Sequence, residues 1–421
     1  MRILWLNAGL LLPLDKGGKL RTWHLMRHLA RRHQITYLSF VDPDATAADK
    51  EGMHEVCERL EVVPRRHAPK GSLAFTIGAA ASVLDPLPYA AGKYRSRAYA
   101  HAMRRLLETG SFDLVVCDFL VPSVNMPRTL PCPSVVFTHN VEAEIWRRHY
   151  EQQTNPIRRV LFRQQWRRML RFEGATLGRF DLILAVSDTD RTTFQQLYRR
   201  DVRAPIVTVA TGVDTSFFAP RDDRTAQRHL VFTGSMDWIP NEDAMKHFCH
   251  DVLPLVRAQE PDVTLSIVGR APTSAVQRLA EIPGVEVTGR VDDVRDHIAR
   301  AAVYVVPIRI GGGTRLKIFE AMAMRKAVVS TTIGAEGLPV TDGRDVLIAD
   351  TPEQFANSVV MLLRDRGRRE VLEDAARELV VTHYDWAAVA SELEEALVRA
   401  AANARVTDTA ANLIVREAGE A

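Results

Sequence analysis

Short apolar runs recur along the chain, each followed by a polar or glycine-containing turn and then a stretch with helical spacing. Ile3–Leu6 opens the series, and a loop holding Asp15-Lys16-Gly17-Gly18 leads into Leu20, Trp23, His24, Arg27 and Leu29 at helical intervals. Ile35–Phe40 is the next apolar run. Strand, glycine turn, helix and strand in this order predict a βαβ unit, hence a parallel sheet with a right-handed crossover. Further buried strands are expected at Leu114–Cys117, Ser134–Phe137, Leu182–Val186 and Ile206–Val209.

Gly212-Val213-Asp214, with Phe217, Phe218 and Pro220, has the composition of a turn-rich linker, after which the pattern restarts. Strands are predicted at Leu230–Phe232, Thr264–Val268, Val285–Thr288, Tyr304–Val306, Ala327–Ser330 and Val346–Ile348. Helices are predicted at Thr273–Ala280, Leu316–Met324 and Glu353–Arg364, and one from Pro240-Asn241-Glu242, where an early proline loses no helical hydrogen bond. Two successive βα series predict an α/β chain of two Rossmann-like domains facing across a cleft. The expected division is 1–205, 206–384, and 385–421 as a returning helix to about Ala402 with a loose polar tail from about Arg405.

A length of 421 residues is too great for one ordinary core and agrees with two domains. Composition is that of a globular protein, 46% hydrophobic and 25% charged, and a net charge of +3 gives no reason to expect nucleic acid as a partner. Cys57, Cys117, Cys132 and Cys249 are scattered without metal spacing, which argues for a reducing compartment and against a zinc site or disulfide framework. Met1–Pro13 reads as a first strand, not a signal peptide, and no run of 18 apolar residues is present. The expected location is cytoplasmic, with the inner face of the membrane as a place of contact.

The clearest chemistry lies at Gly311–Glu320, Gly-Gly-Gly-Thr-Arg-Leu-Lys-Ile-Phe-Glu, between a predicted strand and a predicted helix. Open α/β sheets place ligands at such strand ends. Gly311, Gly312 and Gly313 permit close approach of backbone to an anion, and the helix start offers free N–H groups. Arg315 supplies a guanidinium fork and Lys317 a point charge, which together suit a diphosphate. Glu320, one turn on, is placed to accept from ribose hydroxyls. The alternative is a flexible glycine loop with solvated charges.

This stretch, with Ala327-Val328-Val329-Ser330-Thr331 and Gly334-Ala335-Glu336-Gly337, resembles the donor-site signature of family 4 glycosyltransferases of GT-B fold. Gly212-Val213-Asp214 is similar to that family's interdomain motif, and Tyr384-Asp385-Trp386 to the start of its returning helix. Thr138-His139-Asn140-Val141-Glu142 resembles a subgroup that assembles exopolysaccharide and cell-surface glycans. The resemblance implies a retaining, metal-independent transfer of a sugar from a nucleotide diphosphate sugar to an acceptor hydroxyl. It implies an acceptor-side first domain and a donor-binding second one.

On that reading Gly17 and Gly18, with Lys19 and Arg21 nearby, meet the donor phosphates, and His139 lies against the donor sugar, with a buried structural histidine as the alternative. Gly234, Arg270 and Val291 end strands that frame base and ribose, and Gly312, Gly313, Thr314 and Glu320 complete the donor site. His139, Arg315 and Lys317 are the expected catalytic residues; Asp118 and Glu142 are acceptor candidates, Glu142 with helix capping as its alternative. Gly312 stands where many family members carry a glutamate, so backbone N–H groups near Gly313 are expected to replace it. Gly234-Ser235-Met236-Asp237-Trp238 likewise stands where an arginine and a lysine are usual.

Asp188-Thr189-Asp190 has the form of a DxD metal motif, but its place after a strand fits helix capping better, and no metal is expected. Eight arginines and one glutamate lie between Arg147 and Arg171, with Arg159, Arg163 and Arg167 on one helix face. Such a helix suits either an anionic membrane, with the apolar segment Leu73–Leu84 joining it, or a solvated face over a buried stripe. A lipid-linked glycan is the expected acceptor. Two other functions stay open: a UDP-sugar 2-epimerase and a non-catalytic sugar-nucleotide-binding protein.

Overall fold

The computed structural model describes residues 1–15, 17–65, 85–221, 226–311 and 315–419, with side chains as far as 402. Gly312, Gly313, Thr314 and the segment Leu73–Leu84 lie outside the described residues. The chain forms two compact units, the first comprising Met1–Ala210 with Ala390–Ala421, the second Thr211–Val389.

Unit 1 holds a seven-stranded sheet of β1 (Arg2–Asn7), β2 (Gln34–Val41), β3 (Arg59–Pro64), β4 (Leu114–Asp118), β5 (Ser134–Phe137), β6 (Leu182–Ala185) and β7 (Ile206–Thr208). Their order is β3-β2-β1-β4-β5-β6-β7, with every pairing parallel. Among the described residues, its helices of eight or more residues are α1 (Gly17–Leu29), α2 (Arg97–Thr109), α3 (Glu142–Gln152), α4 (Pro156–Leu177) and α5 (Asp188–Leu197).

Unit 2 holds β8 (His229–Thr233), β9 (Thr264–Val268), β10 (Val285–Gly289), β11 (Val303–Val306), β12 (Ala327–Ser330) and β13 (Leu347–Ile348), in the order β10-β9-β8-β11-β12-β13. Its corresponding helices are α6 (Ile239–His247), α7 (Leu316–Ala323), α8 (Pro352–Arg364) and α9 (Arg366–His383), and α10 (Trp386–Gly419) follows. Both sheets therefore share one topology, reversing direction between the first and fourth strands of each series. These reversals, β1/β4 and β8/β11, are the switch points where doubly wound sheets open a crevice for ligands.

The central strands are buried on both faces, as parallel strands covered by helices must be, and so they read as unbroken apolar runs. Leu4, Leu6, Val115, Tyr99 and Met103 fill one side of the first sheet, and Cys117, Val136, Ile183, Met169 and Phe194 the other. Unit 2 has its own core, in which Phe232, Ile267, Tyr304, Val305, Phe319 and Phe355 meet.

Val213 and Asp385, from the two segments expected to link the domains, form a parallel bridge inside unit 2. The Val213 N–H donates to the Tyr384 carbonyl at 2.7 Å, and the Thr215 hydroxyl to Asp385 Oδ2 at 2.6 Å. A Cβ on Gly212 would fall 2.7 Å from the Trp386 ring, which explains glycine there. Helix α10 continues to Gly419, past the end expected at about Ala402, through an alanine-rich sequence with no proline to stop it.

Candidate anion site at the start of helix α7

In unit 2, β11 leads through Gly311 to Arg315, the N-cap of α7. Arg315 is 5% exposed, and its guanidinium carbon lies 4.9 Å from the centre of the Trp238 ring. Lys317, half-buried, donates from Nζ to Asn241 Oδ1 at 3.0 Å and lies 4.1 Å from the centre of the Phe232 ring. Burial draws the Lys317 ammonium down to about 7, and the neighbouring Arg315 charge adds to the effect. Glu320 is pushed up to about 7 by burial, against the opposing pull of Lys317. Two basic side chains and one carboxyl thus lie within six residues at a helix start in a poorly solvated place, where the helix dipole also favours an anion.

The facing wall comes from β8 and α6. Gly234 closes β8, donating from its N–H to the Val268 carbonyl at 2.9 Å. Asn241, 3% exposed, donates to the Ser235 carbonyl at 2.8 Å while accepting from Lys317, so it ties the turn after β8 to α7. A Cβ on Gly234 would fall 2.6 Å from both Asn241 Nδ2 and Lys317 Nζ. At Gly269 a Cβ would fall 1.7 Å from the Gly234 carbonyl oxygen, so only glycine fits. Arg270, exposed, donates to Ser235 Oγ at 3.0 Å and so lies beside the same turn. Val291 is half-buried and packs on the unit 2 core. The structure therefore gathers Gly234, Arg270, Arg315, Lys317 and Glu320 around the β8/β11 switch point. Asn241 was not singled out in the sequence, although its place behind Pro240 at a helix start was visible.

In unit 1 the β1/β4 switch point is built on Asp118, which is fully buried. Its Oδ2 accepts from Trp5 Nε1 at 3.1 Å, Asn7 Nδ2 at 2.7 Å and Thr22 Oγ1 at 2.7 Å, and Oδ1 is 2.7 Å from His139 Nε2. Asp118, expected to meet the acceptor, is thus enclosed by four side-chain partners. Through Oδ1 it holds the His139 ring in place. The His139 ring is stacked on Phe119 at 3.7 Å between centroids and 5° between planes. Burial holds the imidazole below its ordinary pKa, outweighing the opposing pull of Asp118. The neutral tautomer that donates from Nε2 to Asp118 leaves the Nδ1 lone pair toward Gly18, whose hypothetical Cβ lies 3.5 Å from Nδ1.

Phe119 adopts φ +66°, and a Cβ on Gly18 would fall 2.8 Å from its ring, so Gly18 leaves room for the Phe119–His139 stack. Gly17 is the first residue of α1. The cations expected beside this pair face elsewhere. Arg21 is 2% exposed, donates to the carbonyls of Thr138 at 3.3 Å and Val209 at 2.5 Å, and lies over the Phe137 ring. Lys19 donates to the Pro13 carbonyl at 3.1 Å and pairs with Asp15.

Capping at the start of α3 falls to a residue the sequence did not point to. Glu173, 1% exposed on α4, accepts from the N–H groups of Glu142 at 2.9 Å and Ala143 at 3.0 Å, and from the Tyr198 hydroxyl at 2.6 Å. Glu142 itself is half-buried, and burial raises its carboxyl above the usual range. At Asp188-Thr189-Asp190, Ser187 caps α5 by accepting from the Asp190 N–H at 3.1 Å, and Asp188 accepts from Thr208 at 2.7 Å. Among the described residues no group of three or more His, Cys, Asp or Glu side chains is gathered as a metal site.

Comparison with known proteins agrees with this architecture. HepE of Anabaena, solved with UDP and glucose, superposes with a TM-score of 0.61 at 16% identity, over 95% of this chain and 100% of that one. Sucrose-phosphate synthase of Thermosynechococcus elongatus gives 0.66 at 16% identity, over 94% and 98%. Among curated proteins, a GDP-mannose-dependent alpha-(1-6)-phosphatidylinositol monomannoside mannosyltransferase of Mycobacterium tuberculosis is 26% identical over 240 residues, 52% of this chain and 61% of that protein. An uncharacterized 44.6 kDa protein in the cps region of Klebsiella pneumoniae is 24% identical over 173 residues, 39% and 45%. The chain thus spans about half the length of the curated relatives it matches. Two family models match, "Glycosyltransferase Family 4" over residues 16–217 and "Glycosyl transferases group 1" over residues 227–365. With both halves matched and both sheets in the same Rossmann-like order, the chain belongs to the family 4 glycosyltransferases of GT-B fold.

Proposed function

We propose that this protein is a retaining glycosyltransferase that moves a sugar from a nucleotide diphosphate sugar to an acceptor hydroxyl in exopolysaccharide or cell-surface glycan assembly. The observation that carries the proposal is the pair Arg315 and Lys317 at the start of α7, beside the β8/β11 switch point. Burial makes the unliganded Lys317 reluctant to hold its proton, and a diphosphate beside it would reverse that shift. The same two cations, with the helix N-terminus, would stabilise the charge that grows on the diphosphate as the glycosidic bond breaks. The departing phosphate takes the acceptor proton, and no covalent enzyme intermediate is required. Glu320 is assigned to ribose hydroxyls, Gly234, Arg270 and Val291 to the frame around the nucleoside, and His139 Nδ1 to a hydroxyl of the transferred sugar. Gly17 and Gly18 are assigned to the donor phosphates, with Gly312, Gly313 and Thr314 as backbone donors.

Two relatives support the substrate class. The HepE structures carry UDP, with glucose in one and as UDP-glucose in another, and the mycobacterial mannosyltransferase depends on GDP-mannose. The phosphatidylinositol monomannoside named for the mycobacterial relative favours a lipid-linked glycan as acceptor. The test is release of free nucleoside diphosphate from UDP- and GDP-sugars with and without lipid-linked acceptors. Release that rises with acceptor and matches product formation supports transfer. An altered sugar without net transfer indicates an epimerase, and binding with neither reaction indicates a non-catalytic protein.

A further inference from the structure

We propose that the hairpin of α3 and α4 docks on an anionic lipid surface through the exposed first turns of α4. Gln153–Asn155 joins the two helices, and Asn155 caps α4 by accepting from the N–H groups of Ile157 and Arg158, both at 3.1 Å. The inner side of the hairpin is filled with rings. Trp146 and His149 meet Phe162 at 6.0 and 5.7 Å, and Tyr150 stacks on Trp166 at 5.8 Å. Those rings fix which face of α4 points outward.

The outward face carries Ile157, Val160 and Leu161, spaced i, i+3 and i+4, with 74%, 67% and 44% of their surface exposed. Three adjacent aliphatic side chains on a fixed helix, this open to water, form a patch that calls for an occupant. Arg158, Arg159 and Arg163 are exposed beside them, and residues 152–172 contain six arginines and no acidic residue. Residues 145–171 carry a net +7, which leaves the other 394 residues at −4. Charge is thus concentrated where the aliphatic side chains are. Aliphatic groups enter the acyl boundary while guanidinium forks on long stems reach lipid phosphates. The expectation of a solvated face over a buried stripe holds only further along α4, where Met169 and Leu177 are buried.

The test is flotation of the full chain with vesicles of pure phosphatidylcholine and of phosphatidylcholine with about one quarter phosphatidylglycerol, a content that gives a negative surface potential. Binding is expected to the mixed vesicles and to fall steeply with added salt. Replacing Arg158, Arg159 and Arg163 by Gln is expected to weaken it about 10²-fold, near fivefold for each charge. Replacing Ile157, Val160 and Leu161 by Ser is expected to release the protein as well, with circular dichroism unchanged because these side chains are exposed. Equal binding to both vesicle types, salt-insensitive binding, or no binding by the wild type would overturn the proposal. So would a lipid-free dimer that the serine variant dissolves, since the patch would then be occupied by a second copy. No donor sugar enters the assay, so its failure leaves the glycosyl-transfer reading untouched.

Discussion

At Asp118 one buried carboxylate accepts four hydrogen bonds, three on Oδ2 and one from His139 on Oδ1. Asparagine would have to turn its NH₂ toward one of these donors. Facing His139, it would demand that Nε2 accept, which moves the imidazole proton to Nδ1 and reverses the polarity presented toward Gly18. Asp118→Asn is therefore expected to destabilise the chain by ~1–3 kcal/mol and to lower turnover about tenfold or more. The histidine tautomer read by nitrogen NMR distinguishes this from general damage, and an unchanged tautomer would contradict the account. Lys317 gives a second residue-scale prediction. Its unliganded ammonium titrates at about 7, so above that pH the free site has lost the proton that an anion needs. Nucleoside diphosphate affinity is expected to fall as pH rises from 7 toward 9, by up to tenfold per unit, with proton uptake on binding. Calorimetry in two buffers of different ionisation enthalpy measures that uptake; a flat profile with no uptake would contradict it. Arg315 and Lys317 were legible in the sequence because their charge, glycines and helix start are contiguous. Asn241 and Glu173 were not, because each acts on a segment brought near only by folding, 76 and 30 or more residues away.

At the scale of elements, the turns after β8 and β9 are locked together by Gly269, whose α-carbon leaves no room beside the Gly234 carbonyl. Gly269→Ala must displace the Gly234 turn, and with it the Asn241 link to Lys317. We expect a stability loss of more than about 3 kcal/mol, in the class of overpacking at a special backbone position, and loss of nucleotide binding. Thermal melts of the wild type and variant within a degree of each other would refute that. Strands buried in the middle of each sheet were readable as continuous apolar runs, and β5, β9 and β12 match the expected limits. Strand β3 escaped notice because it lies at a sheet edge, where Arg59, Glu61 and Pro64 break the apolar pattern. Helix α9 escaped because its first turn, Arg366-Gly367-Arg368-Arg369, has no apolar residue to mark a start.

At the scale of the whole molecule, two units with separate cores carry different parts of the proposed chemistry. A ligand held by unit 2 stabilises that unit by mass action, by ~2.7 kcal/mol at a hundredfold excess over its dissociation constant. Hydrogen exchange should therefore slow around residues 234–242 and 309–320 on adding nucleoside diphosphate, while the β1–β2–β3 side of unit 1 keeps its rates. Slowing confined to unit 1 would reverse the assignment of donor binding. The twofold βα pattern made this division visible from sequence, since each series contains the full set of strands its sheet needs. The start of α7 is the proposed seat of the diphosphate. Its most direct test is calorimetric titration of UDP and GDP into the wild type and the Arg315→Ala and Lys317→Ala variants, alongside turnover. One nucleotide is expected to bind the wild type, each variant to bind it at least about tenfold more weakly, and Arg315→Ala to lower turnover ~10²-fold or more. Unchanged affinity and turnover in folded Arg315→Ala protein would contradict it.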